Sequence, residues 1–249
     1  MTDYTLRGNP LTTPLKFMVI FMLNIEKNLT PRLKMIADLV PACTSLCDIG
    51  TDHAYVAIYL AKKGIAKKVI AADIKKGPLY QAKKNITLFD AEDVVETRLS
   101  DGFSAIKDKE AECAIIAGMG GETIANILEN EKGCTYFVLQ MQTAHRHLRE
   151  YLCENNYVIE KEAICQEGRK MYTALLAKCG ESPALSEVEL EIGPFLIKHR
   201  PPLFDEYVRY RLYEIDVILK NISSSPSAKE REEHCLYLKA EYEKLLEGA

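Results

Sequence analysis

The first two thirds of the chain alternate between short apolar runs and longer amphipathic segments. Five apolar runs predict buried strands, at residues 44–47, 68–73, 94–99, 112–117 and 136–139. Five segments with apolar residues three and four positions apart predict helices, at residues 31–40, 53–63, 78–88, 122–128 and 144–155. Strands and helices that alternate with right-handed crossovers form a doubly wound sheet, so the pattern predicts an α/β domain.

The pattern changes twice toward the C-terminus. Two longer runs, at residues 157–165 and 170–179, alternate apolar and polar positions and predict a final antiparallel pair of strands. Beyond Pro183, apolar residues recur at helical spacing in two stretches that the polar turn Ser223–Ser227 separates. We therefore predict a sheet domain at residues 29–182 and an antiparallel α-helical hairpin, or coiled coil, at residues 183–249.

The residues before this regular pattern form a segment of different character. We predict that residues 1–28 are an N-terminal extension that is either disordered or not native to the protein. Its apolar run at residues 14–23 is too short to span a bilayer. No functional role is assigned to it.

Composition and charge narrow the classes of function. The 249 residues are 47% hydrophobic and 27% charged, which is enough for a packed core. A formal net charge of −4 argues against indiscriminate coating of nucleic acid, so any such contact must come from local basic patches. Eight cysteines without a Cys-x-x-Cys spacing predict reduced thiols in a cytoplasmic protein rather than a metal site.

Carboxylates stand at the ends of three predicted strands. Asp48 closes the first strand, Asp73 ends the second and Asp101 follows the third. Because the carboxyl ends of parallel strands meet at one edge of a sheet, we expect these side chains at one ligand site. The lone Gly50 is not the three-glycine fingerprint of a dinucleotide site, and carboxylates would repel a pyrophosphate. S-adenosylmethionine, a cationic nucleoside without phosphates, has the matching charge.

The strand ends suggest roles within such a cofactor site. We expect Asp73 to accept hydrogen bonds from the ribose hydroxyls and Asp101 to hold the adenine amino group. The glycine-rich run 117–121 follows the fourth strand, beside the expected methyl donor. The complete predicted cofactor set is Asp48, Gly50, Thr51, Asp52, His53, Asp73, Ile74, Asp101, Gly102, Ala117, Gly118, Met119 and Gly120.

Several motifs together resemble the bacterial tRNA (adenine(22)-N(1))-methyltransferase family, usually called TrmK. They are Asp48-x-Gly50-Thr51-Asp52-His53-Ala54-Tyr55, Gly77-Pro78, Asp101-Gly102, Ile116-Ala117-Gly118-Met119-Gly120-Gly121, Leu139-Gln140, His147-Leu148-Arg149-Glu150, Lys170-x-Tyr172 and Gly193-Pro194. The resemblance extends from about Leu29 to the C-terminus. It implies a class I methyltransferase (Rossmann-like) domain, S-adenosylmethionine as methyl donor, and a helical tail that helps to hold tRNA.

The sequence also departs from that family pattern. Asp73 stands where glutamate is more usual, and Gln140-Met141-Gln142 stands where Gln-Pro-Asn is common. Because aspartate is shorter than glutamate, the backbone at Asp73 would have to lie closer to the ribose. The change in the second motif makes its expected contacts with the substrate weaker.

The chemistry implied by the resemblance points to two catalytic candidates. Methylation of adenine at N1 leaves a positive charge on the ring until a proton is lost, and Asp52 is the candidate to stabilise that charge. His53 is expected to bind cofactor, contact the base or shuttle a proton; the alternative for both residues is helix capping. The predicted substrate contacts are Arg32, Lys34, Tyr55, Gln140, Arg149, Arg169 and Lys170.

We therefore expect an enzyme that methylates N1 of an adenine in tRNA, without a metal or a membrane, as a cytoplasmic monomer. Two alternatives stay open, because a fold and a cofactor site do not determine the acceptor. One is a methyltransferase for another acceptor. The other is a nonenzymatic tRNA-binding module on a methyltransferase fold.

Overall fold

A seven-stranded sheet forms the centre of the protein. The computed structural model describes residues 24–222 and 226–248. The strands are β1 (Cys43–Ile49), β2 (Ala66–Asp73), β3 (Val95–Leu99), β4 (Cys113–Gly120), β5 (Tyr136–Thr143), β6 (Tyr157–Glu167) and β7 (Lys170–Cys179). Their order is β3-β2-β1-β4-β5-β7-β6. The first five pair in parallel, and β7 is antiparallel to both neighbours. The predicted class I methyltransferase fold is confirmed.

Helices cover both faces of the sheet and continue into the C-terminal segment. They are α1 (Pro31–Leu39), α2 (Tyr55–Lys62), α3 (Lys76–Leu88), α4 (Gly121–Leu128), α5 (His145–Glu154), α6 (Glu187–Ile192), α7 (Pro194–His199), α8 (Phe204–Asn221) and α9 (Pro226–Glu247). Helix α1 begins as its sequence predicts: Pro31 takes the first position and the Thr30 hydroxyl accepts a hydrogen bond from the Leu33 amide at 3.4 Å.

Two apolar cores lie on opposite faces of the sheet. Leu46 and Ile115 pack with α1, α2 and α3, whereas Ile116 and Phe137 pack with α4 and α5. Neighbouring residues of one strand thus belong to different cores. This is why the central strands are continuous apolar runs instead of alternating ones.

Two strands extend beyond their predicted ends. The expected strands at residues 112–117 and 136–139 are Cys113–Gly120 and Tyr136–Thr143 in the structure. Their pairing continues past Ala117 with register shifts around Met119, and Gly118 has a φ of +78°. The glycine-rich segment therefore belongs to β4 rather than following it, because backbone pairing does not require apolar side chains.

A third apolar cluster joins α7, α8 and α9. The two long helices pack on each other, with Ile215 of α8 and Leu238 of α9 in the shared cluster. Lys239 Nζ also lies 2.7 Å from the Asp216 carboxylate. Part of the predicted connecting turn, residues 223–225, lies outside the described residues, and residues 226–227 begin α9. The boundary of this tail at residue 183 stays a prediction.

The end of the predicted N-terminal extension packs against the sheet domain. Residues 1–23 lie outside the described ranges. Ile25–Asn28 is a short 3-10 helix in which Ile25 is buried, and Lys63 Nζ of the loop after α2 lies 2.5 Å from the Glu26 carboxylate. Among the helices of the described ranges, none is long and apolar enough to cross a membrane.

Candidate active site

The turn between β1 and α2 forms the centre of the site. The amides of Gly50 and Thr51 both donate to the Ala72 carbonyl at the end of β2, at 2.8 and 3.0 Å. Gly50 has a φ of +80°, and a methyl group at this position would overlap the Met119 side chain. The positive φ favours glycine, and with any other residue here the flexible end of the Met119 side chain would have to move.

Asp48 is a buried carboxylate beside this turn. It is 8% exposed, and burial raises its pKa to about 6. The nearby Asp73 charge adds to the rise, while a hydrogen bond with Thr51 opposes it. No lysine or arginine of the described chain forms an ion pair with Asp48, so its charge complements a ligand cation.

Two clefts meet at Gly50. The first has a volume of about 410 Å³ and the second about 680 Å³, sizes typical of small-molecule sites. Predicted residues in the first cleft are Arg32, Asp48, Gly50, Thr51, Asp52, His53, Tyr55, Ala117 and Gly118. Those in the second are Gly50, Asp73, Ile74, Asp101, Gly102 and Met119. The structure brings together the predicted cofactor set except Gly120, which lines neither cleft and lies beside Thr143.

Hydrogen bonds order the strand ends around the second cleft. The Asp73 carboxylate accepts from the Lys75 amide at 2.7 Å, and the Asp73 carbonyl accepts from the Ser100 amide at 3.0 Å. The Asp101 amide donates to the Ser104 hydroxyl at 3.0 Å, whereas the Asp101 residue itself is exposed. Both carboxylates are therefore held on rigid backbone at the edge where a nucleoside would bind.

Asp52 and His53 lie at the mouth of the first cleft. His53 Nε2 is 3.3 Å from an Asp52 carboxylate oxygen, and the two side chains are 46% and 72% exposed. The imidazole stacks on Tyr55 with ring centroids 5.3 Å apart, and the His53 carbonyl accepts from Asn85. Helix α2 is preceded by Ala54 without a side-chain cap, so neither Asp52 nor His53 serves as its cap.

Arg32 of α1 reaches the floor of the first cleft. Its Nη1 donates to Gln140 Oε1 at 3.1 Å, and the same oxygen accepts from the Gly118 amide at 3.2 Å. Its guanidinium also lies over the Tyr172 ring, 5.6 Å from the centroid. Gln140 is fully buried, so its prediction as a direct substrate contact is wrong. It holds Arg32 and the β4 backbone in place instead.

The prediction of Arg149 as a phosphate contact is also wrong. Its side chain is 0% exposed and is paired with the equally buried Glu162, with Nη2 and Oε1 2.9 Å apart. It was predicted because the segments after the fifth strand flank the strand ends. What buries it is the C-terminal segment, which folds back over α5 some forty residues later in the chain.

The remaining predicted substrate residues differ in position. Lys34 pairs with Asp38 and lies over the Tyr59 ring, outside the cleft lining. Arg169 and Lys170 are exposed at the turn between β6 and β7. This turn is next to the cleft wall, because neighbouring Glu167 accepts a hydrogen bond from the Arg32 amide at 3.3 Å.

Sequence reasoning missed part of the lining. The missed residues are Asn28, Thr30, Leu33, Ile36, Ala54, Val56 and Ile115 in the first cleft, and Ile49, Ser100, Phe103, Ser104, Thr123, Asn126, Ile127, Asn130 and Lys132 in the second. In the sequence, Thr30 was recognised only as a residue that caps the first helix. The polar residues of α4 resemble an ordinary solvated helix face, so no local pattern identifies them. Within the described ranges, no group of three or more potential metal ligands occurs.

Comparison with known proteins identifies similar chains. The sequence model of the family described as tRNA (adenine(22)-N(1))-methyltransferase matches residues 46–244. The tRNA (adenine(22)-N(1))-methyltransferase of Bacillus subtilis is 31% identical over 217 residues, which cover 84% of this chain and 91% of the relative.

Solved structures with the same fold align with most of this chain. Mycoplasma capricolum TrmK in complex with S-adenosyl-homocysteine has a TM-score of 0.77 and 29% identity, covering 88% of this chain and 99% of the other. A Streptococcus pneumoniae protein in complex with S-adenosyl-L-methionine has a TM-score of 0.78 and 28% identity, with the same two coverages of 88% and 99%.

Proposed function

The chain belongs to the tRNA (adenine(22)-N(1))-methyltransferase family, and we propose that it performs this methyl transfer with the two clefts that meet at Gly50. It is an S-adenosylmethionine-dependent enzyme that methylates adenine N1 in tRNA. The observation that supports the proposed site best is the buried, unpaired carboxylate of Asp48. It fits the cofactor ammonium and would repel a cofactor phosphate.

The cofactor fits the residues of both clefts. Asp48 and the Gly50-Thr51 backbone would hold the amino-acid part in the first cleft, and Asp73 and Asp101 would hold the ribose and the adenine in the second. When bound, S-adenosylmethionine supplies an electrophilic methyl group on a sulfonium. Gly50 lines both clefts, so the ligand would cross from one cleft to the other at this residue, beside the Met119 side chain.

Asp52 and His53 are the proposed catalytic residues. Methylation converts the neutral ring into a cation, because N1 contributes both electrons of the new bond. The Asp52 carboxylate at the cleft mouth would lower the energy of that developing charge. His53, 3.3 Å away, would orient Asp52 and accept the N6 proton that restores a neutral base. The rest of the acceleration comes from aligning N1 with the methyl group.

The tRNA contacts follow from the exposed cations and the tail. Arg169 and Lys170 lie on the turn beside the first cleft, where phosphates that flank a flipped adenosine would pass. The tail, residues 183–249, is proposed to hold the body of the tRNA. One chain supplies both clefts and the tail, so we also propose that the enzyme acts as a monomer, in the cytoplasm where tRNA is modified.

The deciding experiment uses unmodified tRNA transcripts. Protein and S-adenosylmethionine are incubated with a transcript that has adenine at position 22 and with a matched transcript that has guanine there. We expect a reverse-transcription stop at position 22 in the first transcript and none in the second. Binding of S-adenosylmethionine without methylation of either transcript would favour another acceptor. Failure to bind the cofactor at all would favour a nonenzymatic module.

A further inference from the structure

A buried ion pair holds the junction between the methyltransferase domain and the tail. Helices α6 and α7 meet end to end at Gly193-Pro194, and this junction leaves the last carbonyls of α6 and the first amides of α7 without helical partners. Arg149 comes from α5 and Glu162 from β6, and both side chains are 0% exposed.

Arg149 caps the C-terminal end of α6. Its Nη1 donates to the carbonyls of Leu190 and Glu191 at 2.8 and 3.1 Å, and its Nη2 donates to the Ile192 carbonyl at 3.2 Å. Its Nε donates to Glu162 Oε1 at 3.0 Å. A guanidinium is the only side chain that reaches so many acceptors in one plane.

Glu162 caps the N-terminal end of α7. Its second oxygen accepts from the amides of Phe195 and Leu196 at 3.0 and 3.4 Å. Gly193 has a φ of +119°, and a side chain there would overlap this carboxylate. One ion pair thus caps two consecutive helices of the tail, and glycine at the junction lets the carboxylate approach.

The ion pair is also connected to the edge of the sheet where the two clefts lie. Leu148, adjacent to Arg149 on α5, packs against Gly121 at the start of α4, directly after the glycine-rich end of β4. On the tail side, Arg211 of α8 lies 2.9 Å from the Glu191 carboxylate. A continuous set of contacts therefore runs from the strand ends, through Arg149, to the long helices.

We infer that Arg149 and Glu162 are positioning residues that fix the direction of the tail relative to the two clefts, and with it the delivery of the tRNA adenine. This inference rests on the proposed function, in which the tail holds tRNA. Buried ion pairs contribute little net stability, and in some proteins they specify one geometry over others. The pair satisfies the ends of two helices at once, so it favours one orientation of the junction over others.

The test measures tRNA use separately from cofactor binding. In Glu162→Gln, we expect KM for tRNA to rise about tenfold while the Kd of S-adenosylmethionine changes less than about twofold, since a small misplacement of substrate is costly. Hydrogen exchange at the Phe195 and Leu196 amides should rise in the same variant. A second variant, Arg149→Met with Glu162→Met, removes both charges and leaves no unpaired one; we expect the same rise in KM.

A matched control comes from an ion pair inside the sheet domain. Arg98 and Glu110 are 2.7 Å apart and contact neither cleft, so Glu110→Gln should leave KM for tRNA unchanged. Unchanged KM in Glu162→Gln, despite faster exchange at Phe195, would overturn the inference, and so would an equal rise in the control. Failure of both test variants to fold would assign the pair to folding instead. Absence of tRNA methylation by the unaltered enzyme would refute the proposed function itself.

Discussion

Replacing Asp48 by asparagine should stabilise the free enzyme and disable cofactor binding. The folded protein raises the pKa of this carboxyl from 3.8 to about 6 because it is buried. A carboxyl with a raised pKa takes up protons on folding between these two values, so its burial costs stability at neutral pH. About two pKa units correspond to about 3 kcal/mol, which is the upper limit of the gain expected in Asp48→Asn at pH 7.

The size of this stabilisation depends on pH in a defined way. Above pH 6 the full cost is present; it declines as pH falls through 6 and is gone below 3.8, where both states are protonated. Urea unfolding at pH 7 and at pH 4 should therefore show a large stabilisation by Asp48→Asn at the first pH and little at the second. Asp101→Asn is the matched control, because Asp101 is exposed, and we expect its stability to change by less than about 0.5 kcal/mol.

Binding should respond in the opposite direction. Losing a buried charged partner for an ammonium costs about 1.5–3 kcal/mol, so the affinity of Asp48→Asn for S-adenosylmethionine should fall ten- to hundredfold. In the unaltered enzyme the affinity should fall about fivefold between pH 6 and pH 5, as Asp48 takes up its proton. Calorimetry measures both. Unchanged affinity in the variant would refute this placement of the cofactor ammonium. An equal change in stability at pH 7 and at pH 4 would refute the raised pKa of Asp48.

Three further predictions concern the clefts and their rim. Gly50→Ala should lower the free energy of unfolding by about 1–3 kcal/mol and weaken cofactor binding. Adding Met119→Ala should restore part of the binding, and calorimetry with the double variant shows whether crowding by Met119 is the cause. Asp52→Asn should slow single-turnover methyl transfer about a hundredfold with the cofactor Kd within twofold, and a Kd that rises as steeply as the rate falls would make Asp52 a binding residue. Arg169→Glu should raise KM for tRNA about tenfold at low salt and less at high salt. Lys34→Glu is the control, because Lys34 lies outside the cleft lining, and it should change KM for tRNA little. Equal increases in KM for the two variants would contradict the assigned path of the tRNA backbone.

The sequence predicted the sheet and the cofactor edge well for a physical reason. Parallel strands bring their carboxyl ends together whatever their lengths, so Asp48, Asp73 and Asp101 could be assigned to one site without knowing any contact. The end of β4 was not predictable in the same way, because Met119 and Gly120 pair with β5 through backbone contacts that do not depend on an apolar pattern.

The errors concern polar residues that the tertiary structure buries. Arg149 resembles a surface arginine on α5, and only the later return of α6 to that helix gives it three carbonyl acceptors. Gln140 follows the predicted strand at residues 136–139, whereas in the structure it is buried within β5 and accepts a hydrogen bond from Arg32, which lies more than a hundred residues earlier in the chain. Local periodicity contains no information on such partners.

The position of Asn28 and Thr30 gives the segment before the first strand a place in the proposed reaction site. These two residues line the first cleft together with Asp48, although they precede every strand of the sheet. A protein shortened to Pro31 would retain every strand of the sheet, yet it would lose Ile25 from the first core and part of the lining of the first cleft. Truncations at this end should therefore alter turnover as well as melting.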